Sequence, residues 1–274
     1  MLGPLWSPLA HLGLEALAYL VGGRLFLAAR ARSGHDLHAR TDGLWVLVGA
    51  VCGAALGSKL VVWLQYPDRL LAASTEPAAL MAGKTIVGGL LGGWLGVEIA
   101  KRRIGLRRST GDLFVLPLIA GMTIGRVGCL LGGVYDDTYG IATNLPWGLD
   151  LGDGIRRHPT ALFEILALAL LAAFLGGLHR VHRADLREGD RFRLFMAGYL
   201  AFRFGVEWLK PPHGLPGAGA AHTPALVDQP AAALYWGTIT GIQLVCLLGL
   251  AYTAPAIVRA VSPRASRSPG AVST

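Results

Sequence analysis

Residues 113–134 read LFVLPLIAGMTIGRVGCLLGGV, an apolar run with one charged residue, Arg126. A helical run of about 20 apolar residues spans a bilayer's hydrocarbon core. At about 1.5 Å of rise per residue, Arg126 lies roughly 20 Å along it. A guanidinium at that depth is costly unless something pairs with it or binds it, so it marks a candidate functional site.

The chain around this run repeats the pattern. Apolar stretches occupy about 9–29, 44–64, 83–100, 113–134, 159–178, 193–210 and 232–257. The third is short and glycine-rich (GKTIVGGLLGGWLG, 83–96). Over half of the 274 residues are hydrophobic and 15% are charged, against about a quarter in a soluble domain. The sequence therefore predicts an all-α integral membrane protein with seven transmembrane helices. The first basic residue is Arg24. With no basic segment ahead of the first apolar stretch, that stretch reads as a retained span rather than a signal peptide.

The net charge of +8 does not indicate a nucleic-acid partner, because the basic residues cluster in alternate gaps. Arg30, Arg32 and Arg40 form one cluster; Lys101, Arg102, Arg103, Arg107 and Arg108 the next. Arg180, Arg183, Arg187, Arg191 and Arg193 follow, and then Arg259, Arg264 and Arg267. The gaps between hold only Arg69 (65–82), only Arg156 and Arg157 (135–158), and none (211–231). The positive-inside rule puts the basic gaps in the cytoplasm, the N-terminus outside and the C-terminus inside. Residues 1–258 then form the seven-helix membrane domain and 259–274 a polar, disordered cytoplasmic tail. The Pro-, Gly- and Ala-rich loop 211–231 reads as an external loop. Cys52, Cys129 and Cys246 all fall in apolar stretches, so neither a disulfide framework nor a metal site is expected.

Intramembrane charges gather toward the outer side. His11 and Glu15 lie near the outer start of the first span, Lys59 near the end of the second, and Lys84 opens the third. His158 and Glu164 stand at the outer start of the fifth, and Arg203 lies near mid-depth in the sixth, followed by Glu207 and Lys210. A one-sided cluster rich in cations predicts a polar cavity facing the outer leaflet, suited to an anionic lipid headgroup. The competing reading is that these charges pair with one another; His11–Glu15 and Arg203–Glu207 share the i,i+4 spacing of intrahelical pairs.

The stretch 121–164 carries a family resemblance. Gly125-Arg126-Val127-Gly128 resembles the GRxG core of the prolipoprotein diacylglyceryl transferase family, Leu145-Pro146-Trp147-Gly148 its LPWG segment, and Arg157-His158-Pro159-Thr160 with Glu164 its RHPSQLYE segment. Gly57-Ser58-Lys59 resembles the GAR segment, Gly88-Gly89-Leu90 the HGGL segment, and Tyr199, Arg203, Glu207 and Lys210 the YGxFRFxxEFxR helix. The resemblance covers roughly 10–250. It implies a transferase of the bacterial cytoplasmic (inner) membrane with its active site facing the outer leaflet, acting without a cofactor. The implied partners are membrane lipids, specifically phosphatidylglycerol, and the signal peptide of a prolipoprotein with its lipobox cysteine. A diacylglyceryl group moves to that cysteine, and glycerol phosphate leaves.

Such chemistry needs cations for the phosphate and a base for the thiol. Arg126, flanked by glycine, is the first candidate for the phosphate, since guanidinium binds it bidentately; Arg203 is the second. Lys84 and Lys59 line the mouth or snorkel to the surface. Gly88 and Gly89 either thin the third helix for a substrate or pack helices. Tyr135 opens the external loop, and Glu207, Lys210 and Glu164 complete the binding set.

The pattern also departs from the family. Its histidine before Gly-Gly is Val87 here, and the polar residues of GRxGNFxNGE become Cys129, Gly132 and Val134; Ala161 and Phe163 replace Gln and Tyr of RHPSQLYE. Either Glu15, with His11 one turn away, or His158 supplies the base, or the chain moves a lipid moiety to another acceptor. A non-catalytic lipid-binding or transport protein is the reading from a third class.

Overall fold

Long apolar runs without water must satisfy their backbone groups internally, and the helix does so. The computed structural model describes residues 7–32, 40–67, 83–136, 138–181, 187–210, 234–235 and 237–261. Among them are seven α-helices: α1 (Ser7–Arg32), α2 (Arg40–Gln65), α3 (Ile86–Arg103), α4 (Val115–Gly132), α5 (Thr160–Val181), α6 (Asp190–Val206) and α7 (Gly241–Val261). Four segments are long and apolar enough to cross a membrane: Leu9–Arg32, Asp42–Gln65, Gly111–Gly132 and Thr160–Leu178. Gly241–Pro255 is a shorter apolar helix.

Six of the seven sequence-read spans coincide with helices to within a few residues. The seventh starts later than expected. Residues Leu234–Tyr235 and Ile239–Thr240 form a two-stranded hairpin, with Gly237 at φ +77° in its turn, and the helix begins at Gly241. The reason is a capping box. Thr240 N–H donates to Gln243 Oε1 (3.0 Å), and Gln243 N–H donates to Thr240 Oγ1 (3.3 Å). Gln65 of α2 accepts from Ile242 N–H (2.9 Å), pinning this start to the end of α2. At the other end α7 continues to Val261, three residues into the segment read as a tail; 262–274 and loop 211–231 lie outside the described residues.

Glycine sets the tightest packing. Gly49, Gly53 and Gly57 on α2 face Gly96, Gly92 and Gly88 on α3 in antiparallel order, and a Cβ on any of them would collide with the facing helix's backbone. Small residues at four-residue spacing let helix backbones meet where apolar solvent provides no hydrophobic drive. On the other side α1 runs antiparallel to α4: Gly22 faces Pro117, Gly121 faces Ala18, and Gly128 faces Leu14 and the His11 backbone. A buried apolar cluster including Val61, Val87, Ile119, Leu168, Phe195, Tyr199 and Cys246 fills the centre.

Between α4 and α5 the chain builds a small cap. Leu149–Asp150 pairs with Arg156–Arg157, and Ala142 bridges Arg157. Ile141 N–H donates to Leu209 C=O (2.8 Å), joining the cap to the turn that follows α6.

Candidate active site

Arg126 projects from α4, Glu164 from the second turn of α5, and Tyr199 and Arg203 from one face of α6. Glu207 follows in a 3-10 turn, Glu207–Leu209. These five meet. Arg126 Nε lies 2.9 Å from Glu164 Oε1, and Tyr199 Oη donates to the same oxygen at 2.8 Å. Arg203 Nη1 approaches Glu164 Oε2 at 3.8 Å, and Arg203 Nη2 donates to Glu207 Oε2 at 3.0 Å. All five residues are buried. Glu164 thus lies between two guanidiniums, the arrangement that lets a buried carboxylate and buried arginines coexist.

Within the expected one-sided cluster two arginines are matched by two glutamates, including the Arg203–Glu207 pair of the competing reading. The match leaves donors over. Nε and Nη1 of Arg203 are buried without a hydrogen-bond acceptor among the described residues. Buried donors are nearly always satisfied, so this guanidinium retains capacity for an acceptor such as a phosphate oxygen. Lys210 follows the 3-10 turn and is half-buried.

The remaining candidates lie elsewhere. Glu15 on α1 accepts from Lys84 Nζ with both oxygens (2.7 and 2.9 Å) and from Tyr19 Oη (3.2 Å), while His11 Nε2 stands 3.9 Å away. Lys59 donates to Gly83 C=O at 2.6 Å. The segment His11–Glu15 borders the Gly125–Gly128 turn that carries Arg126, through the His11–Gly128 approach. Gly88 packs against Gly57, with Thr85 Oγ1 capping its N–H, and Gly89 lies more openly near Ala54. Val87, where the family pattern has histidine, is 1% exposed in the apolar cluster that contains Tyr199.

His158 is knitted in by its backbone, donating to Ile141 C=O and accepting from Gly140 and Thr160 N–H. Its ring stacks obliquely near Phe163 (6.2 Å), and among the described residues its buried Nδ1 has no hydrogen-bond partner. Tyr135 falls in the 3-10 turn Gly133–Asp136, its side chain outside the described residues.

Three residues named in the sequence were given no place in the site. Tyr199 belongs to the charged array, and the i,i+4,i+8 run Tyr199–Arg203–Glu207 was the available signal. Arg156 holds the Leu145–Gly148 turn by donating to the carbonyls of Leu145, Pro146 and Gly148 (3.1–3.3 Å). Arg157 pairs with Asp153 (2.5 Å) under the Tyr139 ring, entirely inside the cap. Asp150 closes the turn between, accepting from Gly152 and Gly154 N–H (2.8 and 3.1 Å), and the Gly152 N–H foremost holds its carboxyl below the usual range.

The profile of the prolipoprotein diacylglyceryl transferase family matches residues 13–259. A phosphatidylglycerol–prolipoprotein diacylglyceryl transferase of Bordetella bronchiseptica is 33% identical over 231 residues, covering 80% of this chain and 84% of the relative. The protein of that name from Cupriavidus necator is 32% identical over 241 residues (79% and 85%), and that from Geobacter sulfurreducens 31% over 232 (76% and 82%). No solved structure matches the chain. With the motifs, the buried array and a match across nearly its full length, the chain belongs to the prolipoprotein diacylglyceryl transferase family.

Proposed function

We propose that this protein transfers the diacylglyceryl group of phosphatidylglycerol to the lipobox cysteine of a prolipoprotein, at a site in the outer leaflet of the bacterial cytoplasmic membrane. It does so as a seven-span protein with its N-terminus outside and C-terminus in the cytoplasm, as the alternating basic gaps support. The observation that carries the reading is the buried Arg126–Glu164–Arg203 array, in which Arg203 Nε and Nη1 have no hydrogen-bond acceptor among the described residues, Nη1 standing 3.8 Å from Glu164 Oε2.

In this reading Arg203 and Arg126 bind the headgroup phosphate, while Glu164 and Tyr199 fix the spacing of the guanidiniums. Lys210 closes the Glu207–Leu209 turn at the end of the array, and Lys84 and Lys59 flank the mouth. The cysteine sulfur attacks the diacylglyceryl methylene carbon bonded to the phosphate oxygen. The S–C bond forms, the C–O bond breaks, and its electron pair leaves on the oxygen of glycerol phosphate, whose growing charge faces the arginines. The thiol proton passes to the Glu15 carboxylate once Lys84, mostly exposed, swings away from it. His158 orders the cap through its backbone bonds.

The test is a transfer assay with phosphatidylglycerol and a lipobox peptide, read as the mass gain of one diacylglyceryl group. Wild type gains it, and Arg126→Ala and Arg203→Ala do not; absence of the gain in wild type overturns the proposal. A lipid product on some other acceptor would favour transfer elsewhere, the reading motivated by Val87. Reporter fusions at the cap and C-terminus check orientation, with the cap expected outside.

A further inference from the structure

The faces of α5 and α6 on the side of the charged array away from the cap enclose a groove of about 310 Å³. Ala167, Leu170 and Phe174 line it from α5, and Gly198, Tyr199 and Phe202 from α6. Its lining is overwhelmingly apolar, and it opens sideways, where Leu170 (72% exposed) and Phe174 (57%) stand at its edge. Gly198 contributes only backbone, and a Cβ there would press on the Leu171 side chain. Its volume is twice the ~150 Å³ at which an apolar cavity already takes a benzene.

Direction identifies the occupant. Along α5 the lining residues lie three to ten positions beyond Glu164, and along α6 one to five positions before Arg203. Because the two helices are antiparallel, both counts lead the same way, away from the array by about 5–15 Å along α5 and about 2–8 Å along α6. Tyr199 belongs to both places: its ring faces the groove and its hydroxyl donates to Glu164. An end where Arg203 Nε and Nη1 lack a hydrogen-bond acceptor among the described residues, continuous with an apolar sideways-open slot, matches an anionic lipid with its phosphate at that end and hydrocarbon along the slot.

We infer that the α5–α6 groove holds one fatty acyl chain of the phospholipid whose headgroup sits at Arg126 and Arg203. The inference rests on the headgroup assignment above and adds to it a path into the membrane and a basis for chain-length selection. A chain in this slot leaves the α1–α3 side, with Glu15, Lys84 and Lys59, to the peptide.

The experiment uses the full-length protein in phosphatidylglycerol nanodiscs doped with phosphatidylglycerol bearing a diazirine on one acyl chain. Photolabel is expected to concentrate on Leu170 and Phe174, with the half-buried Phe202, over Leu248 and Tyr252, which are about as exposed on α7 as Leu170 and Phe174 are on α5. Two separate fillings, Gly198→Leu and Ala167→Phe, should each remove that excess. Each should also raise KM for dipalmitoyl relative to dihexanoyl phosphatidylglycerol about tenfold, the effect of losing two buried methylenes. Leu248→Trp should leave the ratio unchanged. Equal labelling of α5–α6 and α7, or a chain-length ratio unmoved in both fillings, overturns the groove. So does preferential labelling of the groove by a photoreactive signal peptide. Groove labelling without any mass gain on the lipobox peptide upholds the groove and sinks the transferase reading; mass gain without preferential labelling does the reverse.

Discussion

The protein carries two ionic clusters, one where α4, α5 and α6 meet and one between α1 and the start of α3, and they differ in what surrounds them. In the first, Arg126, Glu164, Tyr199, Arg203 and Glu207 are all under a tenth exposed, and each charge touches at least one of opposite sign. In the second, the Lys84 side chain is 66% exposed and that of Glu15 29%, with His11 and Tyr19 alongside. A charge without water depends wholly on its partners, whereas an exposed pair exchanges them for solvent at little cost. The buried cluster is thus committed to one geometry, and the exposed one is free to open.

The largest effect should come from removing the carboxylate between the arginines. Glu164→Ala leaves two guanidiniums facing each other, and a buried pair broken on one side costs about 3–5 kcal/mol. The melting temperature in detergent should fall markedly and transfer should be lost; an unchanged melting temperature would show that the array does not hold the helices. Arg203→Lys keeps the charge but not the planar fork. The rate should fall by about 10²–10³, the scale of losing one preorganised donor to a developing anion, with a smaller change in melting temperature. Equal kcat/KM for the two side chains would remove bidentate phosphate binding from the argument. Tyr199→Phe deletes one hydrogen bond to a carboxylate and should cost about 1.5–3 kcal/mol. Denaturant titration would measure it, and a loss below that range would mean Glu164 is held by the arginines alone.

How much of this contrast was readable in advance depends on the distance between partners. Arg203–Glu207 and His11–Glu15 are i,i+4 pairs, visible in any helical reading, and the structure brings both together, at 3.0 and 3.9 Å. Arg126–Glu164 joins residues on different helices and Glu15–Lys84 joins α1 to the residues ahead of α3, and spacing along the chain does not reveal which of them meet. The helices themselves were legible because unbroken apolar length has few other solutions. The start of α7 was not: residues 232–240 are apolar enough to extend the span, and only the Thr240–Gln243 capping box marks where the helix begins. The third helix read as glycine-rich, yet the matching glycines at 49, 53 and 57 gain meaning only once α2 and α3 are antiparallel neighbours. Arg156 and Arg157 stood out as the only basic residues of the external loop, but their partners are backbone carbonyls and an aspartate within the same cap.

The smallest effect on stability belongs to the exposed cluster, and there the comparison is most sharply tested. Lys84→Gln and Glu15→Gln each break one ion pair whose lysine is mostly exposed, a class worth about 0–1 kcal/mol. Melting temperatures should therefore barely move in either variant. Their rates should separate. Lys84→Gln removes a partner that must leave the carboxylate anyway, so transfer should change little. Glu15→Gln removes the group that accepts the thiol proton, which general-base catalysis values at about 10²–10⁴ in rate. A lipobox peptide supplied at high pH, where the thiol is already ionised, should recover much of that loss, which a packing defect would not allow. If both variants lost activity equally and high pH restored neither, Glu15 and Lys84 would be a clasp between α1 and α3, and the base would have to be sought among the groups nearer the arginines.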